Sequence, residues 1–414
     1  LDSTGARVTS PTIVTLALAD NPGGATLSGS TQVISINGVA TFDDIVLNQR
    51  GAGYRFSASS GTVPPAFGSP FTVYTPLLAD VIAAGDENSC ALKRGDVPYC
   101  WGRNSVGIVN DTFAGPQLTP VGLHTSLLFD RITAGYQAFC GIMSGGQAYC
   151  WGSNGGGKLG DSTFQDRTTP VAAQPSLRFA QLSLAFDYAC GLTTSHDVYC
   201  WGDNNFGQLG DSTRNFSLVP VRAGGGLTFD AVSAENFHTC ALDPSGAAYC
   251  WGNNGRGQLG DNTTVEKLAP QPVLGGHTFL RIAAGFSHTC GIATDAVTYC
   301  WGKNSAGELG DGSTTQRQVP TPVIGGSSFV ELDSDGPFTC GLTALGQTWC
   351  WGSGYGTQPI HIQQPAPFIA ISAGFEHVCA ITAAKGVYCW GVNTYGMLGD
   401  GTTTSSNVPV RVLY

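Results

Sequence analysis

Fourteen cysteines stand in seven pairs: Cys90 and Cys100, Cys140 and Cys150, Cys190 and Cys200, Cys240 and Cys250, Cys290 and Cys300, Cys340 and Cys350, and Cys379 and Cys389. Each pair encloses nine residues, and successive pairs lie fifty residues apart until one step shortens to thirty-nine. A period of that length marks a repeat architecture, in which each copy buries its apolar face against its neighbours. Other markers keep the same beat. Trp-Gly follows every second cysteine, from Trp101-Gly102 to Trp390-Gly391, and an aromatic precedes it. Prolines recur at Pro120, Pro170, Pro220, Pro270, Pro320, Pro359 and Pro409. Phe129, Phe179, Phe229, Phe279, Phe329 and Phe368 open successive copies, with Ala79 in the first slot.

One copy reads as short strands and turns. The run from Phe279 to Ala284 alternates and ends at Gly285, a strand with a turn behind it. The segments around Cys290 and Cys300 flank a tight hairpin at Thr294-Asp295-Ala296, and Pro320 to Ile324 reads as an edge strand, where proline is tolerated. Four strands in about fifty residues is the size of one propeller blade. The predicted fold is therefore all-β: a seven-bladed β-propeller over residues 76–414, with repeats at about 79–128, 129–178, 179–228, 229–278, 279–328, 329–367 and 368–414. Closing the ring hides the radial edges that would otherwise template aggregation. The last strand, Val408 to Leu413, is expected to join the first blade and lock the ring.

Charged residues are only 12% of the chain, and the net charge of −10 carries no basic run. That argues against nucleic acid or an anionic membrane as partner. No apolar stretch approaches the roughly 18 residues of a membrane span, so no membrane insertion is expected. Leu1-Asp2-Ser3-Thr4-Gly5 does not read as a signal peptide.

Two copies depart from the pattern. Between Trp351 and Pro359 there are eight steps where other copies have nineteen, so the sixth has lost the stretch found as Leu159-Gly160-Asp161, 209–211, 259–261, 309–311 and 398–400. Both flanks keep register: a loop is missing, not a strand. The first copy has Val109-Asn110-Asp111 there, Asn being the residue that best replaces Gly at positive φ.

Ala-Ala-Gly-x-x-His-Thr-Cys-Gly-Ile, Tyr-Cys-Trp-Gly-x-Asn and Gly-x-Leu-Gly-Asp-Gly, as they stand in the fifth and seventh copies, resemble the regulator-of-chromosome-condensation repeats. The resemblance covers about residues 78–414. It implies a seven-bladed propeller, with bacterial members that include secreted binding proteins and a β-lactamase-inhibitor type. The paired cysteines depart from the nuclear member of the family. Residues 1–75 lack both cysteine and the fifty-residue beat. Their alternating runs, with Gly38 to Asp44 and Gly51-Ala-Gly-Tyr54, look like the bacterial Ig-like modules of surface proteins, here one strand short.

Across an antiparallel hairpin two cysteines separated by nine residues can face one another at a span a disulfide bridges. Free buried thiols and metal ligands are the alternatives; metal sites favour two to four residues between cysteines, and no second pair lies nearby in sequence. Seven disulfides imply an oxidising compartment, hence an extracellular or cell-surface protein. Gly155 to Gly160 and Gly255 to Gly260 spell a dinucleotide-binding pattern, but no helix follows to meet a pyrophosphate, so they read as blade turns. His238, His288 and His377 share one repeat position, and residues equivalent on different blades are held too far apart to ligate one metal. The Leu-Gly-Asp acids lack a calcium loop's spacing and read as turn caps. No nucleophile elbow or zinc-protease motif is present, so no catalytic residue, metal or cofactor is expected. Asn110, Asn215 and Asn262 begin glycosylation sequons.

The expected function is a non-enzymatic, extracellular structural or adhesive protein, self-assembling into a filament or tube through the Ig-like module, with protein, including itself, as partner. The alternative is a secreted protein-binding or inhibitor propeller using exposed aromatics such as Phe164, Phe206, Phe216 and Tyr355. Nucleotide exchange stands last, because it belongs to a compartment that conflicts with seven disulfides.

Overall fold

The computed structural model describes residues 10–61, 63–107, 109, 115–325 and 328–414. The chain divides into two compact units, Leu1–Thr75 and Pro76–Tyr414. Among the described residues all regular structure is strand.

In the first unit, β1 (Ile13–Asp20), β2 (Leu27–Ser28), β3 (Gln32–Ile34), β4 (Val46–Leu47), β5 (Gly51–Ser60), β6 (Val63–Phe67) and β7 (Phe71–Val73) form two sheets. The larger runs β3-β1-β5-β6, with β7 also on β5; the smaller pairs β2 with β4. Tyr54 and Ala25 are the buried hydrophobic residues among those described here, whereas Ile34, Ile36 and Phe67 are 63%, 75% and 58% exposed.

The second unit is seven four-stranded antiparallel sheets, each made of four strands consecutive in the chain. The fifth runs Phe279–Ala284, His288–Ala293, Thr298–Gly302 and Arg317–Pro322. Its proline-bearing fourth strand lies at the outer edge, where a missing N–H breaks no ladder. The sixth keeps four strands although its third and fourth, Thr348–Gly352 and Gly356–His361, are joined by three residues.

Trp-Gly recurs because a bulge recurs. In every sheet the register between third and fourth strands shifts between the second cysteine and that glycine. Gly302 takes φ 105° there, and a Cβ would lie 2.7 Å from the Ser287 carbonyl oxygen. Only glycine fits that backbone.

Cores form between sheets. Leu192, Val198 and Leu209 of the third sheet pack with Phe229, Val232 and Trp251 of the fourth. The same join closes the ring, since Leu77, Ile82 and Trp101 pack with Ile381, Val387 and Leu398 of the last sheet. The closing strand is not placed as the sequence led us to expect. Ser406–Arg411 pairs within the last sheet, Tyr388 opposite Arg411 and Cys389 opposite Val410. The first sheet has its own outer strand, Gln117–Gly122. The entering segment makes the crossing instead: the Leu77 N–H donates to the Val412 carbonyl at 3.0 Å, and Leu78 bridges Gly386. Gln117–Gly122 carries Pro120 in register with the other outer strands, so the first copy never lacked an edge for the C-terminus to fill.

Candidate functional site

The first strands of successive sheets touch in a closed cycle, and the turn leaving each reaches a shared axial cavity of about 240 Å³. Every sheet contributes one side chain. Three are carboxyls, Asp86, Glu235 and Asp335; four are rings, Tyr136, Phe186, Phe286 and Phe375. Tyr136 and Phe186 lie 4.3 Å apart between centroids, and Phe286 meets Phe375 edge-on at 5.5 Å. All seven are half-buried, so solvent reaches the basket they form.

Crowding and burial make these acids reluctant to ionise. Burial, with Glu87 and Glu376 adding like charge, pushes Asp86 up to about 6. Burial pushes Asp335 up to about 7. Glu235 rises well above the carboxylate range, by burial first and then by the charge of Asp335. The Glu235 and Asp335 carboxyls are close enough to hydrogen-bond, which needs a proton on one of them. Two like charges this close share one proton rather than ionise together. Behind the rings, the buried Lys158 ammonium donates to the Tyr136 and Phe186 carbonyls at 2.6 and 2.5 Å. Burial lowers its pKa to about 8.

Carboxylates beside the faces of aromatic rings attract a cation through charge and the ring quadrupole together. Among the described residues no serine, cysteine or histidine lines the cavity. Sequence reasoning passed over these residues, though their signal is present. Asp86, Tyr136, Phe186, Phe286 and Phe375 stand four residues before the first cysteine of a pair, whereas Glu235 and Asp335 stand five before it. That one-residue offset hides two of the three acids from a strict repeat alignment.

The sequence-singled residues lie elsewhere. All fourteen cysteines pair as seven disulfides, Cys90–Cys100 through Cys379–Cys389, with Cα atoms 4.0–4.1 Å apart. Each pair lies directly opposite across the second and third strands and is wholly buried. The histidines stitch sheet to sheet. His238 Nε2 lies 2.9 Å from Thr289 Oγ1, and His288 Nε2 lies 2.8 Å from Thr339 Oγ1. The Thr289 hydroxyl donates onward to the Gln258 carbonyl at 2.9 Å, so it accepts from an Nε2–H of a neutral His238. Burial lowers His238 to about 3 and His288 and His377 to about 4. Tyr188 fills the same slot and bonds Thr239 at 3.0 Å.

Phe164 and Phe216 meet at 5.6 Å and are both exposed, while Phe206 packs on Phe237 instead. The glycines of the 155–160 segment sit in a loop closed by Asn154, whose side-chain carbonyl accepts the Leu159 N–H. Asp161 caps the same loop, accepting from the Thr163 N–H at 3.1 Å. Asn215 and Asn262 are exposed; Asn110 lies outside the described residues. Among the described residues no group of three His, Cys, Asp or Glu side chains is placed to hold a metal ion.

A model of the RCC1-like domain matches residues 70–363, and models of the regulator of chromosome condensation (RCC1) repeat match 368–396 and 386–414. The chain belongs to the RCC1-like domain family. Human WBSCR16 is 17% identical with a TM-score of 0.69, over 76% of this chain and 89% of that one. Yeast RCC1 (Prp20), solved with Kap60, is 18% identical with a TM-score of 0.68, over 78% and 84%. The ectodomain of the Physcomitrella patens receptor kinase CR4 is 24% identical with a TM-score of 0.52, over 75% and 73%. No curated protein matches the sequence. At such identities the likeness speaks for the fold alone, so the RCC1-like unit must be read from its own residues. Its disulfides suit an oxidising, extracellular setting, and no helix among the described residues is long and apolar enough to cross a membrane.

Proposed function

We propose that this chain is a non-enzymatic, extracellular protein-binding propeller of seven blades that takes a cationic side chain of its partner on the axis. The observation that carries this reading is the convergence of three carboxyls and four rings, one from each sheet, on one cavity. Such a site favours ammonium or guanidinium over a neutral isostere, because cation–π attraction and carboxylate charge both vanish with the ligand's charge. Solved RCC1-like relatives support a binding role, one of them bound to Kap60. Calorimetric titration with Nα-acetyl-lysine methylamide and its neutral norleucine analogue tests the proposal. Binding of the lysine compound at least tenfold tighter is expected; equal binding, or none, overturns it.

The first unit supports a second reading, self-assembly. As an Ig-like module it would leave Ile13, Ile34, Val46 and Phe67 more than half exposed, with β3 and β6 as open edges of its larger sheet. An open edge beside apolar surface invites a strand from another chain. Light scattering of the full chain against residues 76–414 checks it: only the full chain is expected to grow in mass with concentration.

A further inference from the structure

The sixth sheet's missing loop leaves a cleft, and the other sheets show what belongs in it. In four of them the third-to-fourth-strand loop reaches the next sheet's tryptophan. The indole N–H of Trp201 donates to the Lys158 carbonyl at 2.7 Å, and those of Trp251 and Trp301 to Gln208 and Gln258 at 2.9 Å. Trp101 does the same to Met397 across the ring closure, at 2.7 Å. The leucine after each acceptor, such as Leu209, is wholly buried, and the glycine after that covers the indole. A Cβ on Gly210 would lie 2.6 Å from Trp251 Nε1. The loop also donates one backbone N–H to the next outer strand, Ser212 to the Leu268 carbonyl at 2.9 Å and Asn262 to Gln318 at 3.0 Å.

None of this reaches the seventh sheet. Gly354 stands where Asn304 closes the fifth loop, and the chain turns back after Tyr355. What remains is a cleft of about 550 Å³ between Tyr355 and Ile360 on one side and Trp390, Asn407 and Val408 on the other. Trp390 is fully buried by its neighbours, and its indole N–H makes no well-formed hydrogen bond, only a loose contact with the Tyr355 hydroxyl. The Tyr355 ring half fills the space, edge-on to Phe338 at 5.4 Å. Trp351 also lacks an acceptor, although Leu309 packs beside it, so the orphaned donor alone is not decisive. At Trp390 a poorly bonded donor and the open volume coincide. Asn407, the position equivalent to Leu268, receives no loop N–H, and Ile360 and Val408 stand 44% and 48% exposed.

We propose that this cleft is a second binding site, for a loop of a partner protein that offers an aliphatic side chain beside a free backbone carbonyl and N–H. The loop replaces the deleted one: its carbonyl takes the Trp390 N–H, its side chain takes the place of Leu309, and its N–H meets Asn407. The site is independent of the axial cavity. Burying such a donor with its acceptor removes the penalty of an unmade bond, which favours a peptide over a purely apolar ligand.

The probe is a cyclic peptide of residues 253–262, the chain's own fourth-sheet loop, whose Gln258 carbonyl takes the Trp301 N–H, titrated into the full protein with indole N–H signals followed by NMR. Trp390 is expected to shift, and to be the indole that shifts most. Restoring the missing eleven residues between Ser353 and Thr357 should weaken binding at least tenfold, and so should Trp390→Phe, which keeps a ring but removes the donor. No shift at Trp390, or equal binding by both variants, overturns the proposal. A Trp390 signal that moves with protein concentration alone also overturns it, because the occupant is then a second copy.

Discussion

His377 of the last sheet places its Nε2 2.7 Å from the Ser89 hydroxyl of the first, so the ring closes on the same histidine–hydroxyl stitch that joins its interior sheets. In six of the seven joins the slot before the pair and its partner on the next sheet are matched in polarity. Tyr188, His238, His288 and His377 meet Thr239, Thr289, Thr339 and Ser89. Phe338 and Val378 share an apolar core, and Ala138 and Ala189 another. Asn88, where the next sheet offers Phe139, is buried with neither amide atom paired.

Breaking the closing stitch is expected to cost stability. Ser89→Val leaves a buried imidazole donor unmatched, a loss of about 1–3 kcal/mol. Converting the apolar join the other way, Phe338→His should destabilise by a similar amount, and adding Val378→Thr should restore part of it. Urea unfolding of the three variants measures both effects; strictly additive losses for the pair would count against matched slots.

Gly302→Ala tests the recurring bulge. With φ 105° and the Ser287 carbonyl 2.7 Å from the new Cβ, the substitution should cost roughly 1–3 kcal/mol or more. Gly354→Ala, at φ 83° with open space around its Cβ, should cost less, since only the dihedral is strained.

The repeat count, the strand order and the facing cysteines were legible in the sequence because each is a local pattern repeated seven times. Trp101-Gly102 carries the bulge, Pro320 marks an outer strand, and Trp351 to Pro359 shows a lost loop. The axial basket was not legible, because Asp86 and Asp335 meet only through the curvature of the ring, and Glu235 and Asp335 slip by one residue in the alignment. The closing strand was misplaced because Ala79, in the slot of Phe129, obscured that the first copy is complete from Val81 onward. The entering segment is tied to the last sheet by backbone bonds such as that from Leu77, and backbone groups leave no sequence signature.

Two sets of buried groups should set opposing slopes on stability between about pH 4 and 7. The histidine pKa values are lowered on folding from 6.5 to about 3 for His238 and about 4 for His377, so their contribution is complete above the unfolded value and lost as pH falls from 6.5 towards 4. The acids run oppositely. Asp86 and Asp335 rise from 3.8 to about 6 and about 7, so the stability linked to their protons is present at low pH and lost as pH rises from about 4 through 7. His377→Gln should make the slope of stability against pH between 4 and 6.5 more negative, and Asp335→Asn should raise the melting temperature at pH 8 and make the slope between 4 and 7 more positive. Melting curves from pH 4 to 8 read both slopes.

Because every disulfide is fully buried, reduction should need unfolding first. Under native conditions with dithiothreitol no thiol should become reactive over hours, whereas in concentrated urea all 14 should. Partial reduction of the folded protein would show that the sheets open locally.

The central claim is that the axial carboxyls hold a cation, and calorimetry of Nα-acetyl-lysine methylamide at pH 8 against the wild type and the Glu235→Gln/Asp335→Asn variant tests it most directly. The wild type is expected to bind, with protons released to the buffer as the cation displaces the one shared by Glu235 and Asp335. The variant should bind at least tenfold more weakly and release none. Equal affinity in the two proteins would contradict the account.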